Sequence, residues 1–156
     1  MKLATQIEEK QIGYWDFTGR QEKGIHDICV YPATMVPNMQ KELIRMILEE
    51  NPQISNILDP FHGSGVTLVE GTSLGLLPKG IDINPLANLI TRVKLQGIDK
   101  KKINTAIRDM EIKLFSDSFN YEIHSFQNID KWYRADFVDT FSRIRAAIME
   151  EKSANI

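Results

Sequence analysis

The sequence predicts an α/β fold, and three neighbouring segments predict it. Residues 54–58 form a brief apolar run that leads at once into the glycine-bearing turn Asp59-Pro60-Phe61-His62-Gly63-Ser64-Gly65. Residues 66–74 then read as a helix closing at Gly75, and Gly80-Ile81-Asp82-Ile83 reads as a second short strand. Strand, helix, strand in so short a length is the parallel βαβ unit, whose crossover helix lies between its two strands.

Upstream, residues 38–50 open with Asn38 as a capping residue and place Met39, Leu43, Ile44, Met46 and Ile47 near helical spacing, so they predict an amphipathic helix that ends before Pro52. Downstream, Asn84-Pro85 has the form of a cap followed by proline in the first turn. Leu86, Leu89, Ile90, Val93 and Leu95 supply the expected apolar face of that helix. Two further helices follow from Ile103, Ile107, Met110 and Leu114, and from Phe137, Phe141, Ile144 and Ile148, each at spacings of three and four. Between them, residues 119–129, with Tyr121, Ile123 and His124, are the candidate for a third strand, although their alternation is poor.

Composition sets the outer limits. The chain has 156 residues, 42% hydrophobic and 26% charged, which is the ordinary globular range and about one domain's worth of chain. Nineteen Lys and Arg against 21 Asp and Glu give a net charge of -2, so contact with nucleic acid requires a local patch or another chain. Cys29 is the single cysteine, which excludes an internal disulfide and a cysteine-rich zinc site and fits a reducing, cytoplasmic setting. No run approaches about 18 consecutive apolar residues, and the first ten residues lack the apolar core of a secretion signal. Neither export by that route nor a membrane partner is expected.

The turn carries the chemistry. Glycine lets a ligand approach the backbone closely, and Gly63 and Gly65 stand where that approach is needed. Asp82 follows Asp59 by 23 residues, close to the roughly 20 at which a carboxylate meets ribose hydroxyls in nucleotide-type units. The dinucleotide pattern fails because Leu68 occupies the place of its third glycine. The P-loop pattern fails as well, since Gly65-Val66-Thr67 has no lysine.

With those cofactors disfavoured, the residues have a clear resemblance. Asp59-Pro60-Phe61-His62-Gly63-Ser64-Gly65-Val66-Thr67 resembles the S-adenosylmethionine motif of the DNA amino-methyltransferases, which act on N6 of adenine or N4 of cytosine. Gly80-Ile81-Asp82-Ile83-Asn84-Pro85-Leu86-Ala87 is similar to the acidic-loop motif that follows it, and residues 26–37, with Tyr31-Pro32-Ala33-Thr34, to the family's N-terminal cofactor motif. Thr34 departs from the lysine frequent at that position. The resemblance covers residues 15–94 strongly and extends weakly over 132–148, which is similar to a linker helix of some members. It implies S-adenosylmethionine as cofactor. The turn from Phe61 to Gly65 would wrap its methionine portion, Asp82 would bind its ribose, and Ile83 would flank its adenine, with Tyr31, Pro32, Thr34, Asp59, Pro60, Ser64, Thr67 and Asn84 completing the cofactor set.

The same resemblance implies a Rossmann-like methyltransferase fold, here incomplete. It divides into residues 1–37 bearing the N-terminal motif, a βαβ core over 38–99, and a helical extension over 100–156 that begins at Lys100-Lys101-Lys102. The family transfers its methyl group with Asp, Asn or Ser followed by two prolines and an aromatic. The prolines here are Pro32, Pro37, Pro52, Pro60, Pro78 and Pro85, no two of them adjacent, so no catalytic residue is assigned. The cytosine-C5 route, which needs a cysteine after a proline, fails too, because Cys29 follows Ile28.

The reading is therefore the cofactor-binding part of a DNA methyltransferase of the restriction-modification kind, inactive by itself. DNA would be met through a separate part, a second polypeptide would carry the catalytic motif, and a homo-oligomer would be another way to cover an incomplete sheet. The alternatives are an inert cofactor-binding or structural subunit, and an RNA or protein methyltransferase. Several residues are assigned ordinary structural roles. His62 is expected to face solvent from the turn, and His26 and His124 to be lone histidines with no metal spacing. Tyr14, Trp15 and Phe17 are expected to form a hydrophobic plug, Cys29 to be a small buried hydrophobe, and Arg92, Lys94 and residues 100–102 to be solvated cations.

Overall fold

The computed structural model describes residues 3–17, 24–32, 34–97 and 99–153, with side chains described through residue 151. The chain forms a mixed α/β structure of two compact units, Met1–Gly97 and Ile98–Ile156. Among the described residues no helix is long and apolar enough to cross a membrane.

The first unit is built on the expected βαβ motif. Strand β1 (Asn56–Asp59) pairs in parallel with β2 (Leu77–Gly80), with Asn56 opposite Leu77 and Asp59 opposite Gly80. The second strand thus precedes its predicted place at residues 80–83. Proline at position 78 obscured it in the sequence, because proline cannot donate to a ladder. Here it needs no donor: Leu77 N donates to Ser55 O and Ile81 N to Asp59 O, so bonding residues alternate and Pro78 falls between them. The chain leaves the sheet at Ile81, which frees Asp82 to bend back over the turn.

Helix α3 (Val66–Ser73) makes the crossover and ends as expected: Leu74 is its cap and Gly75 follows at φ 89°. Leu68 is fully buried, with Val66 and Leu76 close behind. A Cβ on Gly71 would stand 2.9 Å from Ile57 Cγ2, so the glycine sets how closely α3 lies on β1. The opposite face of the two-stranded sheet is bare, leaving Leu58 64% and Leu77 59% exposed.

Helix α1 (Leu3–Glu8) and α2 (Pro37–Glu50) complete the α3 side. Asn38 does not cap α2. Val36 is the cap residue and Pro37 takes the first helical position, where a fixed φ and a missing N–H carry no penalty. Ile44 and Met46 are the buried residues of α2. Tyr14, Trp15 and Phe17 cluster edge to face or tilted, and the Tyr14 hydroxyl donates to Glu42 Oε1 at 2.7 Å.

Helix α4 (Pro85–Gln96) starts as predicted, with Asn84 Oδ1 accepting from Leu86 N at 3.0 Å. Its buried stripe is different: Ala87, Ile90, Thr91 and Lys94 face inward, whereas Leu86, Leu89 and Val93 are exposed. The hydrogen-bonding needs of the glycine turn, described below, set this rotation against the pull of the larger aliphatic side chains.

The second unit pairs α5 (Lys100–Leu114) with α7 (Ala135–Ser153), and Ala106 and Ala147 are buried. Asp99 caps α5 by accepting from Lys101 N at 2.8 Å and Lys102 N at 3.2 Å, and Lys113 bridges Glu150 and Glu151 at 3.2 and 2.6 Å. The predicted stripes are only partly covered, since Ile107, Phe137, Phe141 and Ile148 stay about half exposed. No strand forms over residues 119–129. That segment has no strand to pair with among the described residues and hydrogen-bonds to α7 instead, with His124 N donating to Ser142 Oγ at 2.9 Å and the Tyr121 hydroxyl to Asp139 at 2.8 Å. A single-turn helix, α6 (Ile129–Trp132), precedes α7.

Candidate functional site

The site is the turn between β1 and α3. Asp59 ends the strand and its Oδ1 accepts from Phe61 N at 3.0 Å, an Asx turn that directs the chain away from the sheet. Gly63 and Gly65 follow at φ 50° and 78°, and Gly65 N donates to His62 O at 2.7 Å. Gly65 is also the residue before the first turn of α3, and no side chain caps that helix. The amides at its start are therefore available to an anionic group.

Asp82 closes the turn from the other strand. Its Oδ2 accepts from Gly63 N at 2.9 Å and its Oδ1 from Asn84 N at 2.8 Å. These two backbone donors, Asn84 first, hold the Asp82 carboxyl below the usual aspartate value. Each oxygen keeps a free lone-pair direction, so the carboxylate can still receive hydroxyl donors.

The remaining predicted residues fall into two groups. Tyr31 joins the site: its hydroxyl accepts from Asn84 Nδ2 at 3.1 Å, and its ring edge would lie 3.4 Å from a Cβ on Gly63. Ser64 is buried in the turn itself and Thr67 is half-buried in the first turn of α3, while Phe61 and Ile83 extend into solvent at 87% and 99% exposure. Pro32, Thr34 and Pro60 are exposed and make no hydrogen bond among the described residues. Ala33, in the same motif, lies outside the described residues.

Helix α4 supplies what the sequence did not reveal. Asn88 donates from Nδ2 to Asp82 O at 2.8 Å and Asn84 O at 3.1 Å, which leaves its Oδ1 as acceptor for His62 Nε2 at 3.0 Å. Thr91 donates to Gly63 O at 3.1 Å, and Lys94 Nζ donates to Ser64 O at 3.0 Å. His62 is therefore buried, contrary to the solvent-facing role expected for it, and Lys94 is buried rather than solvated. Burial lowers the Lys94 pKa from its ordinary value. Polar residues every third position, 88, 91 and 94, are the signal that identifies this stripe.

Two other single-residue expectations change. His26 is not alone: its Nε2 lies 2.8 Å from Oε1 of the buried Glu70 on α3, which also pairs with Lys41 at 3.5 Å. Cys29 is half-buried instead of buried. Among the described residues no group of acidic, histidine or cysteine side chains has the geometry to hold a metal.

Comparison with known proteins finds relatives among the Type II methyltransferases. Across 158 aligned residues the chain is 33% identical to the Type II methyltransferase M.MvaI of Kocuria varians, a match covering 96% of this chain. This similarity supports a DNA methyltransferase family for the chain. A second member, the Type II methyltransferase M.MjaII of Methanocaldococcus jannaschii, is 33% identical over 112 residues, or 65% of the chain. The matched region spans 35% of the length of M.MvaI and 20% of that of M.MjaII. No protein-family model and no solved structure matches it.

Proposed function

We propose that this chain is the S-adenosylmethionine-binding part of a DNA methyltransferase that methylates an exocyclic amine, N6 of adenine or N4 of cytosine. The observation that carries the reading is the bond from Gly63 N to Asp82 Oδ2, which ties the glycine turn to the acid that ends the βαβ unit. A Cβ on Gly65 would strike Thr91 at 2.5 Å, so the turn has no room for a side chain and presents bare backbone beside an uncapped helix start.

These features fit the cofactor part by part. The amides of the first turn of α3 suit the carboxylate of a methionine moiety, with Gly63, Ser64 and Gly65 along its chain. Asp82 suits a vicinal ribose diol, since a carboxylate accepts two hydroxyl donors. Ile83 and Phe61 offer exposed apolar faces for an adenine ring. Tyr31 and Asn84 brace the approach, and Pro32, Thr34, Asp59, Pro60 and Thr67 shape its borders. The cofactor supplies an activated methyl group on a sulfonium, so the protein's contribution is to bind and orient.

The transfer step needs a rigid element to hold the target amine, and this chain has no adjacent prolines. We place that element in a second polypeptide or a further part of the protein, toward which residues 100–156 form a linker, while residues 1–37 and 38–99 provide the cofactor site of an incomplete Rossmann-like sheet in the cytoplasm. The bare face at Leu58 and Leu77 favours such a covering part, or a second copy of the chain, over a sheet complete in itself. Calorimetry with S-adenosylmethionine on the purified chain tests the reading. Saturable binding at one site is expected, and absence of heat from a well-folded sample would remove the cofactor from it.

A further inference from the structure

The second unit has an open cavity of about 250 Å³ between the extended segment before α6 and helix α7. Its lining includes His124, Phe126, Tyr133, Phe141, Ser142 and Arg145. The rings stand at right angles in sequence: Phe126 to Tyr133 at 6.4 Å and 84°, then Tyr133 to Phe141 at 5.7 Å and 87°. Ser142 holds the frame, accepting from His124 N while donating to Val138 O at 2.6 Å.

This cluster does not read as a core. Phe126, Tyr133 and Phe141 are 47%, 45% and 49% exposed, so each ring offers open surface. The Arg145 guanidinium has no acidic partner among the described residues, and the His124 ring has no hydrogen bond there. Most charges elsewhere on α7 are spoken for: Asp136 pairs with Arg134, Arg143 bonds to the Ser116 carbonyl, and Glu150 and Glu151 hold Lys113. An unpaired guanidinium beside exposed aromatic faces suits a ligand that is planar and anionic together. The volume is below the roughly 300–1,000 Å³ of sites for drug-sized molecules, which points to a single heteroaromatic ring system.

We propose that this cavity takes one unstacked nucleotide of the DNA substrate, its base against Tyr133 and Phe141 and its phosphate on Arg145. The proposal rests on the DNA methyltransferase reading above and adds a DNA contact made by this chain itself. Aromatic faces accept every base, so the site grips without reading sequence. It is a holding site with no bond made or broken, for a nucleotide that has left the helical stack.

The test uses the full chain and a fluorescein-labelled single-stranded oligothymidylate, followed by anisotropy. Wild type should bind, and Phe141→Ala and Arg145→Gln should each weaken binding at least about fivefold, whereas Lys101→Gln on α5 should change it little. Phe141→Leu covers the case in which the alanine variant fails to fold, because it fills volume without a stacking face and should also bind weakly. No binding by wild type, or equal binding by all folded variants, would overturn the proposal. So would self-association that Phe141→Leu abolishes while oligonucleotide binding is absent, since the cavity would then seat a protein segment. S-adenosylmethionine binding measured on the same samples keeps the two readings apart: its loss with oligonucleotide binding intact counts against the cofactor site and leaves this one standing.

Discussion

Gly63, in the turn after β1, donates its backbone N–H to Oδ2 of Asp82, two residues beyond β2, at 2.9 Å. The acid therefore has two tasks, fixing the turn and presenting its remaining lone pairs outward. A carboxylate held by backbone donors keeps its charge at lower pH than a free one, so the group proposed to meet the ribose is anionic under all ordinary conditions.

The first prediction separates those tasks. Asp82→Asn keeps an oxygen for one backbone donor, whereas Asp82→Ala removes both acceptors. Both should weaken S-adenosylmethionine roughly tenfold or more, the alanine variant with a lower melting temperature as well. Because the folded pKa lies below the unfolded one, the stabilising contribution of Asp82 is present above the unfolded value of 3.8 and fades as pH falls through the folded value. Melting curves at acid pH should therefore converge for wild type and Asp82→Ala. Unchanged affinity in a folded Asp82→Asn protein would take Asp82 out of the site.

The second prediction concerns two glycines with similar backbones and different surroundings. Gly65 at φ 78° has Thr91 within 2.5 Å of a built Cβ, while Gly75 at φ 89° has nothing within 4 Å. Gly75→Ala should cost about 1 to 2 kcal/mol for the left-handed backbone alone. Gly65→Ala should cost a further ~1 to 3 kcal/mol for overpacking, and Thr91→Ser or Thr91→Ala in the same chain should recover part of it. Denaturant unfolding measures both. Equal losses would mean that Thr91 does not press on the turn.

How much of this was legible depends on what each feature needs. The βαβ unit, the cap at Asn84 and the glycine that follows α3 at position 75 are local, set by a few adjacent residues, and the sequence shows them. Strand β2 was misplaced by about three residues because Pro78 looks forbidden until the ladder shows which N–H groups are used. The rotation of α4 was read from its aliphatic residues instead of from the polar spacing at 88, 91 and 94, and that spacing does not say which carbonyls, some 30 positions earlier, Thr91 and Lys94 reach. His62 was missed for the same reason, since Asn88 and Thr91 make its burial tolerable.

The third prediction concerns Lys94. Its ammonium is buried with one carbonyl partner, and burial holds its pKa below 10.5. Between the folded value and 10.5 the unfolded chain binds the extra proton, so stability rises with pH through that window. Wild type should therefore gain on Lys94→Met as the buffer is taken from neutral to about pH 10. Parallel melting profiles for the two proteins would show that Lys94 is not desolvated in solution.

A fourth prediction addresses the bare sheet face. Leu58 and Leu77 project from the side that α3 does not cover, and an edge with open apolar residues associates. Sedimentation of the chain alone should show concentration-dependent self-association, reduced in Leu58→Lys/Leu77→Lys. Each substitution should leave stability within about 0.5 kcal/mol, as surface changes do. A strictly monomeric wild type would argue that this face needs no cover.

The last prediction is that the chain alone transfers no methyl group to DNA. Methylating an exocyclic amine requires the base to be taken out of the stack, at a cost of a few kcal/mol, and then held against the donor. The turn at Gly63 to Gly65 and Asp82 is proposed to orient the cofactor, but no adjacent prolines in this chain supply the rigid element for the amine. With labelled S-adenosylmethionine and mixed-sequence duplex DNA, incorporation should not exceed that of a Gly65→Trp control. Adding a polypeptide that carries a Pro-Pro-aromatic segment and covers the sheet face should restore it, and Leu58→Lys/Leu77→Lys should weaken that restoration without lowering cofactor affinity. Incorporation by the pure chain above the control would falsify the division of labour, and attention would then turn to residues 128–133 as an unrecognised catalytic segment.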